Sequence, residues 1–126
     1  MKIRIHGNSI RYRLTRSEVK TLSETGVLTA ETRFGSGTTP VFIYALEAAE
    51  GLTQLQATFD GGRITLLMPA AAAANWYDEE RVGFENQVEV APGVSLHLLL
   101  EKDFACLDNT GEDQSDNYAN PKGICD

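Results

Sequence analysis

The sequence predicts an α+β domain: a largely antiparallel sheet of about seven or eight strands, built as a meander of hairpins, with two short helices. Three observations predict it. Most segments alternate apolar and polar residues with the period of two that marks a half-buried strand. Tight glycine turns join most of them, which favours antiparallel pairing. Only two stretches carry helix signals. At 126 residues the chain fits one domain and can bury a core without staples.

The first hairpin runs Lys2 to His6 and Ser9 to Leu14 around Gly7-Asn8. The turn pairs Ile5 with Ile10 and Ile3 with Tyr12 on one face, and places Arg4 opposite Arg11 and Lys2 opposite Arg13 on the other. A helix follows. Thr15 is its N-cap, Glu18 completes a capping box, Leu14 and Val19 stand as a hydrophobic staple, and Gly26 ends it. Val27 to Phe34 and Val41 to Ala48 read as strands about a Gly/Ser/Thr/Pro loop.

The second tight hairpin, Leu55 to Asp60 and Arg63 to Met68 about Gly61-Gly62, sets Phe59 by Ile64, Ala57 by Leu66 and Leu55 by Met68. Pro69 then opens an alanine-rich helix from Ala70 to about Asp78, with Trp76 as the side chain that fixes it to the sheet. Gly83 to Val90 and Val94 to Glu101 form the last pair. Leu98-Leu99-Leu100 is apolar on both faces, which predicts a central strand.

Composition shifts after Lys102. The expected organisation is a domain over residues 1–102 and an acidic tail over 103–126. Charge is polarised. Lys2, Arg4, Arg11, Arg13, Arg16 and Lys20 face only Glu18 within the first twenty residues, while the chain as a whole carries −7. An acidic chain is a poor general binder of nucleic acid, so nucleic acid is not an expected partner. A protein or a small molecule is, and no membrane is expected. The opening Met1-Lys2-Ile3-Arg4-Ile5 lacks the apolar region of a signal peptide, so the expected location is the cytoplasm, with both cysteines reduced.

No P-loop, GxGxxG, GxSxG, HExxH or CxxC occurs, so the reading leans away from an enzyme. His6 and His97 have no sequence-adjacent partner and are assigned ordinary structural or surface roles. Two constellations carry chemistry. The first is the basic hairpin face, Lys2, Arg4, Arg11 and Arg13, where like charges across a strand pair oppose folding. Solvent, the returning tail or an anionic ligand could each offset that. The second is the tail, where Cys106, Asp108 and Cys125 could hold a divalent metal such as zinc. The tail's other readings are apolar docking through Phe104, Cys106 and Leu107, or a Cys106–Cys125 bridge. Apart from that metal, no cofactor is expected.

The opening Lys-Ile-Arg-Ile-His-Gly-Asn-Ser-Ile-Arg and the closing Glu101-Lys102-Asp103-Phe104-Ala105-Cys106-Leu107-Asp108, with Glu112-Asp113-Gln114-Ser115-Asp116 and Asn120-Pro121, resemble a family of small uncharacterised bacterial domains. The resemblance spans nearly the whole chain. It implies a bacterial origin and a domain that stands alone, and brings no activity or catalytic residue with it. The leading functional expectation is therefore a small non-enzymatic binding or assembly domain. The alternatives are metal- or thiol-dependent activity at Cys106 and the tail carboxylates, or anion or nucleic-acid binding by the basic hairpin face.

Overall fold

A computed structural model describes residues 1–37, 41–104, 116 and 118. The elements run β1 (Lys2–His6), β2 (Ser9–Leu14), α1 (Arg16–Thr25), β3 (Val27–Arg33), β4 (Val41–Ala49), β5 (Gln56–Asp60), β6 (Arg63–Pro69), α2 (Ala70–Asn75), a 3₁₀ turn (Trp76–Asp78), β7 (Gly83–Ala91) and β8 (Val94–Lys102). The α+β class and the mostly antiparallel pairing stand as the sequence predicts. Both glycine-turn registers hold too: Ile5 pairs with Ile10, Arg4 with Arg11, Phe59 with Ile64 and Ala57 with Leu66.

The hairpins do not continue as one meander. They form two four-stranded sheets, ordered β1-β2-β8-β7 and β3-β4-β6-β5. In each, two hairpins meet through a parallel pair, β2 with β8 and β4 with β6. A tight turn fixes pairing within a hairpin but says nothing about which hairpin lies beside it. That is decided by burial. The more apolar strand of each hairpin moves inward, and these strands run the same way. Leu98-Leu99-Leu100 accordingly lies on a central strand.

The inner faces share one core. Tyr12, Leu14, Leu98 and Leu100 of the first sheet join Leu46, Ile64, Leu66 and Met68 of the second. The Tyr12 ring meets Tyr44 edge-on at 6.1 Å, and its hydroxyl donates to the Ile64 carbonyl at 3.3 Å. That satisfies a buried phenol which burial pushes to a raised pKa. The apolar face of β5–β6 is not wholly covered: Phe59 remains 72% exposed.

Helix α1 shows both terminal signals. Thr15 Oγ1 accepts from Glu18 N at 3.4 Å, and Glu18 Oε1 accepts from Thr15 N at 2.9 Å. Gly26 takes the left-handed conformation, φ 78, and returns its N–H to the Leu22 carbonyl. Val19 and Leu22 are the buried residues. The second helix is shorter than the alanine run suggests. Pro69 ends β6, α2 stops at Asn75, and the backbone tightens into the 3₁₀ turn. That turn seats Trp76 fully buried, edge-on to Phe84 at 5.0 Å, with its indole N–H donating to the Arg81 carbonyl at 2.8 Å. No helix among the described residues is long and apolar enough to cross a membrane.

Candidate functional site

The basic residues predicted to share a face do so. In the β1–β2 register Lys2 lies across from Arg13, Arg4 from Arg11, and His6 from Ser9. The parallel pairing then sets Ser9 beside His97, Arg11 beside Leu99 and Arg13 beside Glu101. β7 adds Glu85 next to Leu99 and Gln87 next to His97. The outer face of the first sheet thus runs from basic on β1 and β2 to acidic on β8 and β7.

Neighbouring carboxylates relieve the like-charge repulsion expected of the bare hairpin. Arg11 Nε pairs with Glu101 Oε1, both side chains being about three-quarters buried at 22% and 24% exposure. Lys2 Nζ lies 3.3 Å from Asp103 Oδ2, the first residue of the expected tail. Arg13 also has an interaction of its own. Arg4 differs. It is exposed, and among the described residues it makes no ion pair.

Arg4, His6, Ser9, Arg11 and Leu99 line a depression of about 280 Å³ open to solvent. Leu99 forms its apolar floor, because β8 puts a leucine where the alternation calls for a polar residue. His97 has a partner after all, but one distant in sequence. Its Nε2 lies 2.6 Å from Glu85 Oε2, and its Nδ1 faces Ser9 Oγ at 3.4 Å. Hydroxyl, imidazole and carboxylate in that order resemble an activated nucleophile. Here the serine contact is longer than a good O–H hydrogen bond and the face is open to water. Ser9 itself lines the cleft.

A second cluster lies where β8 ends. Lys102, almost fully buried, donates from Nζ to the Glu79 carbonyl at 2.6 Å. Its ammonium sits 4.7 Å from the Tyr118 ring centre and 5.7 Å from that of Trp76. Burial lowers its pKa, partly offset by Glu79. Leu98, Leu100 and Lys102 share a face by the period of two, so the sequence does carry the signal that this lysine points inward. Asp116 covers the start of α1. Its carbonyl accepts from Arg16 N at 3.0 Å and its Oδ1 from Ser17 N at 3.2 Å, while Oδ2 accepts from Ser17 Oγ. Tyr118 joins Phe104 by an isolated parallel bridge and an edge-on ring contact.

Of the proposed metal ligands, Cys106, Asp108 and Cys125 all lie outside the described residues, so the metal and bridge readings do as well; of the three apolar anchors Phe104 is described, meeting Tyr118 at 5.8 Å, while Cys106 and Leu107 lie outside. Among the described residues no cluster of three His, Cys, Asp or Glu side chains could hold a metal ion.

A family model described as "Family of unknown function (DUF7009)" matches residues 1–122. No curated protein and no solved structure matches the chain.

Proposed function

We propose that the chain, which belongs to the family of unknown function DUF7009, is a non-enzymatic cytoplasmic binding module that takes a small monoanion, a carboxylate, in the cleft on its first sheet. The supporting observation is Arg4: an exposed guanidinium with no ion-pair partner among the described residues, at the edge of a cleft that also holds Arg11, His6 and Ser9. Lys2 and Arg11 already have acidic neighbours, which leaves roughly one uncompensated positive charge facing the cleft. One carboxylate satisfies it with a two-pronged hydrogen bond. A polyanion would also meet Glu85 and Glu101 on the same face and an overall charge of −7. Leu99 gives the apolar part of such a ligand a place to rest.

The experiment is a backbone-amide NMR titration with short-chain monocarboxylates, and with inorganic phosphate as the competing anion. The expected result is saturable shifts at Arg4, His6, Ser9 and Arg11 with carboxylate, lost in Arg4→Ala. Shifts that persist unchanged in Arg4→Ala, or none at all, would overturn the reading. Stronger and equally local shifts with phosphate would replace the carboxylate with a dianion.

A further inference from the structure

Two side chains of the cleft, Arg4 and His6, stand apart from the rest. Both are exposed, and among the described residues neither has a hydrogen bond or an ion pair. The other charged groups around them are engaged: Lys2 lies by Asp103, Arg11 by Glu101 and His97 by Glu85, and Arg13 has its own interaction. The cleft therefore presents two open arms of different kinds. A guanidinium keeps its proton at any pH the fold meets. Imidazole changes its charge between about pH 5 and 8.

The strand spaces these arms. Arg4 and His6 are alternate residues of β1, so their Cα atoms lie about 6.7 Å apart with both side chains on one face. The oxygens of a single carboxylate are too close together to serve both arms well. A second carboxylate on the same ligand can reach the second arm. The register gives each arm a different setting. At the level of Arg4 the outer face runs through Arg11 and Leu99 to Glu85; at the level of His6 it runs through Ser9 and His97 to Gln87, with no carboxylate. Glu101 stands one level beyond Arg4, in line with Lys2 and Arg13. Glu89 stands beside Ser95, one level beyond His6 and on the opposite edge strand. An anionic group held at His6 thus meets less repulsion than one placed nearer the centre of the sheet.

We propose that His6 sets the charge of the ligand. With its ring neutral the cleft takes a monocarboxylate on Arg4. With its ring protonated the cleft takes a short dicarboxylate, one end on Arg4, the other on His6 and the carbons between them against Leu99. The inference rests on the carboxylate reading of the cleft, and adds to it a ligand class and the group that selects it. Charged ring and dianion stabilise each other, so binding of the dicarboxylate draws a proton onto the protein.

The test is isothermal titration calorimetry of the full chain with fumarate and with crotonate, at low salt, at about pH 8 and about pH 6. The two ligands share one rigid carbon frame, differ by the second carboxylate, and stay ionised over that range. At the higher pH fumarate should bind no tighter than crotonate. At the lower pH it should bind about fivefold tighter or more, the gain from one added pair of opposite charges at the surface. His6→Gln, which keeps every other titrating group, should abolish the change. His6→Lys should prefer fumarate at both pH values, and His97→Gln should keep the change. A preference that does not move with pH, one that still moves in His6→Gln, or one that stops moving in His97→Gln would overturn the proposal. If crotonate binds and requires Arg4 while the preference stays flat, carboxylate binding stands and only the role of His6 falls. If neither ligand binds at either pH, both fall.

Discussion

Replacing Thr15 by alanine tests how the start of α1 is held. The first three backbone N–H groups of the helix have no partner inside it. Arg16 N is taken by the Asp116 carbonyl, Ser17 N by the Asp116 carboxylate and Glu18 N by the Thr15 hydroxyl. The substitution releases only the third, which then turns to water. The N–H bond it loses is a long one, at 3.4 Å, and the hydroxyl's bonds to Glu18 Oε1, at 3.1 Å, and to the Asp116 carboxylate go with it. The expected loss is about 1 kcal/mol, mid-range for an N-cap. For 126 residues the unfolding entropy is about 0.26 kcal/mol/K, so the Tm should fall by about 4 °C. Differential scanning calorimetry at neutral pH measures it, with Thr15→Ser as the control that keeps the cap. If Thr15→Ala melted within about 1 °C of wild type, or Thr15→Ser lost as much as alanine, the hydroxyl would not be the cap.

Other perturbations probe other parts of the fold. Hydrogen bonds, first from the Ser17 side chain and then from Thr15, hold the Asp116 carboxyl below its ordinary value of 3.8. Its folded pKa lies below the unfolded one, so its stabilisation is complete above that value and is lost as pH falls through the folded one. The stability gap between wild type and Asp116→Asn, followed by urea denaturation, should close as acid is added; a gap constant to about pH 2 would contradict this. Gly83→Ala would place a Cβ 2.2 Å from the Leu100 carbonyl oxygen, forcing β7 from β8, and should cost about 2 kcal/mol or more in the same assay; an unchanged midpoint would show that the strands part freely. Lys102→Met should stay within about 1 kcal/mol of wild type, because the apolar chain fills the same space and avoids the desolvation of a buried ammonium. Lys102→Ala, which leaves a void, should lose roughly 2–4 kcal/mol. Equal losses in both would mean that the ammonium, rather than the volume, holds β8 against Trp76 and Tyr118.

What the sequence disclosed was local. A capping box spans three residues and a glycine turn two, so Thr15, Glu18, Gly26 and the registers of the glycine-turn hairpins could be read directly. The basic face was legible for the same reason, as alternation within one hairpin. Its neutralisation was not. Glu101 reaches Arg11 because β8 pairs with β2, and that pairing joins residues nearly ninety positions apart. The cleft's Leu99 floor and the Glu85–His97–Ser9 chain depend on the same non-local choice. Lys102 was missed although its alternation with Leu98 and Leu100 pointed inward, because a charged residue beside a polar tail reads as the end of a strand.

The nesting of the hairpins has a consequence in time. The inner sheet, β3 to β6, is continuous in sequence and can assemble once β6 has left the ribosome. The outer sheet cannot. Its first hairpin must wait until Val94–Lys102 is made before β2 finds its parallel neighbour, closing a loop of most of the chain. Until then Tyr12 and Leu14 have only half of their eventual surroundings. Joining the two ends is thus the natural slow step of folding, and a nascent chain stalled before β8 would display an unfinished apolar surface next to a bare strand edge.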